Sequence, residues 1–182
     1  MNLRKRSSNL IPYSVYIYSG ISLSEPDCFY FAAANGWLEL GVPSEAVREI
    51  SLLSRAAEND ADILCFKCKL FLVAREFEKA QQAAQKLLER QPDDLDGWLT
   101  LAESVWQIEG ARNALNCLEK RRQFYSENYR FCLALSRYFA LSGDVDNAKE
   151  WILNSLSVGG KPADARAFPE LHPHLRSLAR GE

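Results

Sequence analysis
Between Leu95 and Asn128 the apolar residues fall into two groups, one on each side of Gly110. Trp98, Leu101, Ala102 and Val105 recur at the three-and-four spacing of one helical face, and Ala114 and Leu118 begin a second stripe. The stretch predicts a helix, a turn and a second helix. The rest of the chain repeats this grammar. Ala46, Ala80, Ala114 and Ala148 stand 34 residues apart, which divides the middle of the chain into windows over 27–60, 61–94, 95–128 and 129–162. The eighth residue of each window is small (Ala34, Cys68, Ala102, Ser136) and the eleventh is apolar (Trp37, Phe71, Val105, Phe139). The twenty-fourth is Ile50, Ala84, Leu118 or Ile152, and the fourth is large in Tyr30, Leu64 and Trp98 but not in Cys132.

Two antiparallel helices cross closely only where small side chains meet. The eighth residue and the alanine at position twenty supply that contact, and the large fourth and eleventh residues fill the space beside it. One helix pair leaves an apolar face open, so successive pairs are expected to stack into a continuous core. The punctuation agrees. Gly41 with Pro43, Gly110 and Gly143 fall between helices, Pro92 and Pro162 fall near window ends, and the acids of 60–62 and 93–96 sit at positive helix starts.

The spacing W-x2-L-A-x2-V followed by A-x3-L resembles the tetratricopeptide repeat (TPR), whose pattern is W-x2-L-G-x2-Y, A-x3-F and a closing Pro. The resemblance implies an all-α fold, a right-handed superhelix of about four helix-turn-helix repeats over the windows above. Departures are local: Lys67 holds the apolar seventh position of the second window, and only that window has Pro (Pro92) at position thirty-two. The tail 163–182 carries Phe168, Leu171, Leu175 and Leu178 at helical spacing, broken by Pro169 and Pro173. It is similar to the capping segment that covers the last repeat in such arrays. Small bacterial TPR proteins with a G-W-L-E-L-G first helix, here Gly36 to Gly41, resemble this layout. That group implies protein interaction and no enzymatic activity.

The segment 1–26 reads differently. Arg4, Lys5 and Arg6 precede an apolar stretch, which is the outline of a signal peptide. Leu10 to Leu23, however, holds Pro12, three tyrosines and three serines, and no clean small-x-small cleavage site follows. It is also too short and polar to span a bilayer. A flexible or loosely docked extension is expected, with a strand-like or interfacial stretch through Tyr13, Val15 and Ile17 as the alternative. A weak export signal or a mis-set start codon are further readings.

Composition then narrows the chemistry. A formal net charge of −2 lacks the basic excess of a nucleic-acid binder. Five cysteines, an odd number in a helical chain, do not make a disulfide framework and point to a reducing compartment, the cytoplasm. Cys65 and Cys68 form a C-x2-C, but a zinc site needs two further ligands, and no second C-x2-C or H-x3-H exists. Cys68 holds a small packing position, so the pair reads as structural. His172 and His174 flank Pro173 on the closing segment and read as solvated. Acid pairs such as Asp93–Asp94 fall in turns, and no Gly-rich phosphate loop follows a strand. No catalytic residue, cofactor or metal is expected.

The resemblance also implies where a ligand would lie: at positions two, five, six, nine, twelve and thirteen, on the concave face of the first helices. The first window places Phe31, Asn35 and Leu38 there, and the second Asp62, Cys65, Phe66, Lys69 and Leu72. The third adds Asp96, Leu99, Thr100, Glu103 and Trp106, and the fourth Arg130, Leu133 and Arg137. Such a lining suits a peptide or protein segment with an apolar core and a charged flank. In the competing reading several of these residues pack on the chain's own extension or closing helix. The carboxylate clamp of TPR domains that grip heat-shock chaperone tails is not expected. Its five positions hold Phe31, Asn35, Phe66, Asp96 and Thr100, and only Asn35 matches. The leading reading is a non-enzymatic protein-interaction module. A secretion-type chaperone and a membrane-tethered assembly factor are the alternatives.

Overall fold
In the computed structural model the residues described are Leu23 and 25–180, with only the backbone of Ala179 and Arg180. The extension 1–26, with its stretch through Tyr13, Val15 and Ile17, lies outside them apart from Leu23, Glu25 and Pro26. Short polar side chains set the helix starts by accepting from first-turn amides that would otherwise lack partners. Asp60 takes the Asp62 amide at 2.9 Å, Asp94 the Gly97 amide at 2.6 Å, and Asn128 the Arg130 amide at 3.0 Å. The first helices of the pairs are α1 (Asp27–Glu39), α4 (Ala61–Val73), α6 (Leu95–Glu109) and α9 (Tyr129–Ser142). Their starts are 34 residues apart.

The second helices are α2 (Pro43–Ile50), α5 (Phe77–Arg90), α7 (Ala111–Glu119) and α10 (Val145–Ser157). Two of them stop early, and short helices α3 (Arg55–Glu58) and α8 (Arg122–Tyr125) follow. Beyond α2 the chain is pulled aside by Asp27, whose carboxylate accepts from the Ser54 amide at 2.8 Å and the Ser54 hydroxyl at 2.6 Å. The tail forms α11 (Pro162–Arg166), a 3-10 turn (Pro169–Leu171) and α12 (His172–Arg180). No strand occurs among the described residues.

The crossing works as the small-residue pattern requires. Ala46, Ala80, Ala114 and Ala148 are fully buried, as are Ala34, Ala102 and Ser136. Ser136 satisfies its hydroxyl by donating to the Ala148 carbonyl at 2.9 Å, across the α9–α10 crossing. Between helices the backbone turns left-handed at Gly41 (φ 74°) and Gly143 (φ 87°). The equivalent residue after α4 is Arg75, which takes φ 61° without being glycine. Lys67, the polar residue at an apolar position, meets Glu58 of α3 at 3.3 Å.

Two compact units result, one through Glu127 and one from Asn128 on. In the first, α1 packs on α2, α4 on α5, α5 on α6 and α6 on α7. In the second, α9 and α10 pair, and the tail folds over them: Ala165, Phe168 and Leu171 join Leu133 and Ile152 in one buried cluster.

Candidate interaction surface
On α1 the side chains of Phe31, Asn35 and Leu38 are partly exposed. Asn35 spends its amide on Glu39, 2.9 Å away on the same helix. On α4, Asp62 is exposed and Cys65 and Lys69 are partly so, whereas Phe66 and Leu72 are fully buried. Phe31 and Phe66 meet edge to face with ring centroids 5.0 Å apart, so the first and second windows do contribute to one aromatic contact. On α6, Asp96 and Trp106 are partly exposed, while Leu99, Thr100 and Glu103 are buried. Glu103 accepts from the Gln107 amide at 3.2 Å. The register expected to face a ligand therefore alternates between packing and surface residues.

The second unit holds Arg130, Leu133 and Arg137 on α9. Arg130 is partly exposed. Leu133 is buried in the cluster with Phe168 and Leu171. Arg137 is 7 % exposed; its guanidinium is ion-paired through Nε with Glu170 and lies 4.8 Å from the centre of the Phe168 ring. Sequence position placed Arg137 in a lining open to a partner, and the structure commits it to the chain's own tail.

The remaining polar groups are structural in their surroundings. Cys68 is buried at its packing position, and burial pushes its thiol far above the ordinary value. Burial also lifts the Cys132 thiol, to about 11. Among the described residues no three His, Cys, Asp or Glu side chains gather where they could hold a metal ion. His172 and His174 stand in the first turn of α12, where Pro173 needs no amide partner. His172 Nε2 lies 2.8 Å from the Arg166 carbonyl, and burial with nearby Lys149 lowers the basicity of His174. No helix among the described residues is long and apolar enough to cross a membrane.

Sequence reasoning missed the Asp27–Ser54 clasp and the stacking of Arg121 on Trp98, whose guanidinium carbon lies 4.3 Å from the ring centre. Neither has a periodic signal. Trp98 is further tied by its indole N–H to the Pro92 carbonyl at 2.8 Å.

Among solved structures the chain is similar to TTC0263, a thermophilic TPR protein of Thermus thermophilus, with TM-score 0.66 and 17% identity over 85% of this chain and 89% of that one. The fold is that of a TPR protein. MamA from Desulfovibrio magneticus RS-1, from its residue 41 to the end, matches at TM-score 0.65 and 16% identity, over 88% of this chain and 99% of that one. A further MamA structure matches at TM-score 0.64 and 16% identity, over 88% and 87%. No protein-family profile and no curated protein matches the sequence. In a TPR fold the helix starts at Asp27, Ala61, Leu95 and Tyr129 correspond to the first helices of successive pairs.

Proposed function
We propose that the chain is a non-enzymatic protein-interaction module that takes a peptide or protein segment on the first helices of its pairs, acting in the cytoplasm. The observation that carries this reading is the mixed lining of one unit. Partly exposed Phe31, Leu38 and Trp106 stand in the same register as the acids Asp62 and Asp96 and the cation Lys69. Apolar anchors beside fixed charges favour a segment with an apolar core and a basic flank. Five free thiols support the reducing location. Asp96 stands against an acidic chaperone tail, and the modest acidity of the chain against nucleic acid.

The test is a pull-down with mass spectrometry on wild type and on Asp96→Lys/Trp106→Ala. Both changes fall on partly exposed side chains, and circular dichroism checks that the fold survives. A protein retained by wild type and lost by the variant is the expected result. Retention of the same proteins by both, or of none by either, overturns the reading.

A further inference from the structure
The outward face of α1 carries an inference independent of the peptide surface. Positions three, ten and eleven of the 34-residue step are Ile63, Leu70 and Phe71 on α4, and Gly97, Ser104 and Val105 on α6. All six are buried. On α6 the cause is a neighbouring helix: a Cβ added at Gly97 would lie 3.0 Å from a Leu88 methyl of α5. On α1 the same positions are Phe29, Gly36 and Trp37. Phe29 is 61 % exposed, Trp37 is 38 % exposed, and a Cβ at Gly36 would meet nothing within 4 Å. Leu40, a turn beyond, is 74 % exposed. With the half-buried Ala33, these residues fall in an arc of roughly 100° on a helical wheel, and none is charged.

We propose that this face packs against α1 of a second copy of the chain, forming a two-fold dimer. The face repeats the positions that α6 buries against α5 within the first unit, where Gly97 lies beside Leu88, so its chemistry is suited to a helix. Its order is also self-complementary: Phe29 at one end, Ala33 and Gly36 in the middle, Leu40 at the other end. An antiparallel pairing with the two-fold axis between Ala33 and Gly36 sets Phe29 against Leu40 of the partner subunit, and Leu40 against Phe29 of the partner subunit. The small central residues let the two helix axes approach to about 8 Å. The exposed parts of Phe29, Trp37 and Leu40 offer on the order of 350 Å² of apolar surface. A standard interface buries about 800 Å² per partner, so this smaller face makes a weak, concentration-dependent dimer.

Sedimentation velocity on the full chain, from about 2 μM to about 200 μM, covers the affinities of weak dimers. Wild type is expected to pass from monomer to dimer across the series. Phe29→Gln/Leu40→Gln is expected to stay monomeric at the highest concentration with an unchanged circular dichroism spectrum, since both side chains are exposed in the single chain. A wild type that stays monomeric throughout overturns the proposal and leaves the face to a different protein or to residues 1–22. A variant that dimerises like wild type overturns it too, because association would then use another surface.

Discussion

The helix pair α9–α10 and the helix pair α1–α2 follow the same internal recipe and differ in what lies against them. Over α9 and α10 the tail lays Ala165, Phe168 and Leu171, with Phe168 2 % exposed and Leu171 fully buried. On α1 Phe29, Trp37 and Leu40 stand at the surface. The tail closes over Leu133 and Ile152, so apolar residues of that pair are buried by a segment added to it. A repeat residue is apolar by its position, and how far it is buried follows from what packs on it.

The sharpest way to break the comparison is to make one change at both places. Phe168→Ala removes a ring from a closed cluster and is expected to cost about 3–5 kcal/mol, whereas exposed Phe29→Ala stays within about 0.5 kcal/mol. Urea unfolding of the two variants reads the difference, and equal midpoints would contradict it. Glu170→Gln comes next. It leaves the Arg137 charge buried without its carboxylate, for an expected loss of about 2 kcal/mol, less than for a fully buried pair because Glu170 retains some exposure.

Asp27 gives the first pair its own fastening, and that fastening is sensitive to acid. The two hydrogen bonds from Ser54 hold its carboxyl below the ordinary value of 3.8. A depressed folded value means the contribution is complete above about pH 4 and disappears as pH falls through the folded value. The melting temperature of wild type should exceed that of Asp27→Asn at neutral pH, and the gap should narrow as pH falls below about 4. A gap independent of pH would mean that Asp27 acts through shape alone. The smallest expected effect is a gain. Arg75→Gly relieves a left-handed backbone that Gly41 and Gly143 adopt at equivalent positions, for about 0.5–1 kcal/mol of added stability.

Helix starts were legible because capping is local: Asp60 and Asp94 announce themselves within three residues of what they cap. The 34-residue step was legible because alanines that sit at a crossing tolerate nothing larger. Asp27–Ser54 and Arg137–Glu170 join residues 27 and 33 apart with no repeating partner, so no period reveals them. The register of the candidate surface could be read from the same step, but its exposure could not. Phe66 and Phe31 occupy neighbouring groove positions on paper, and in the fold one is buried beneath the other's edge. Arg137 looked like a recognition residue for the same reason: charge and position are visible in a sequence, and a distant glutamate is not.

The Asp27–Ser54 clasp has a consequence for how the first pair opens. It joins the first residue of α1 to the cap of α3 and so encloses α1 and α2 in a single loop. Helix ends ordinarily fray one turn at a time. Here the first turn of α1 is fixed at the far side of the pair, so α1 opens as a block when the clasp lets go. In native-state hydrogen exchange the amides of α1 should then share one opening free energy with the Ser54 amide, instead of grading from low to high along the helix.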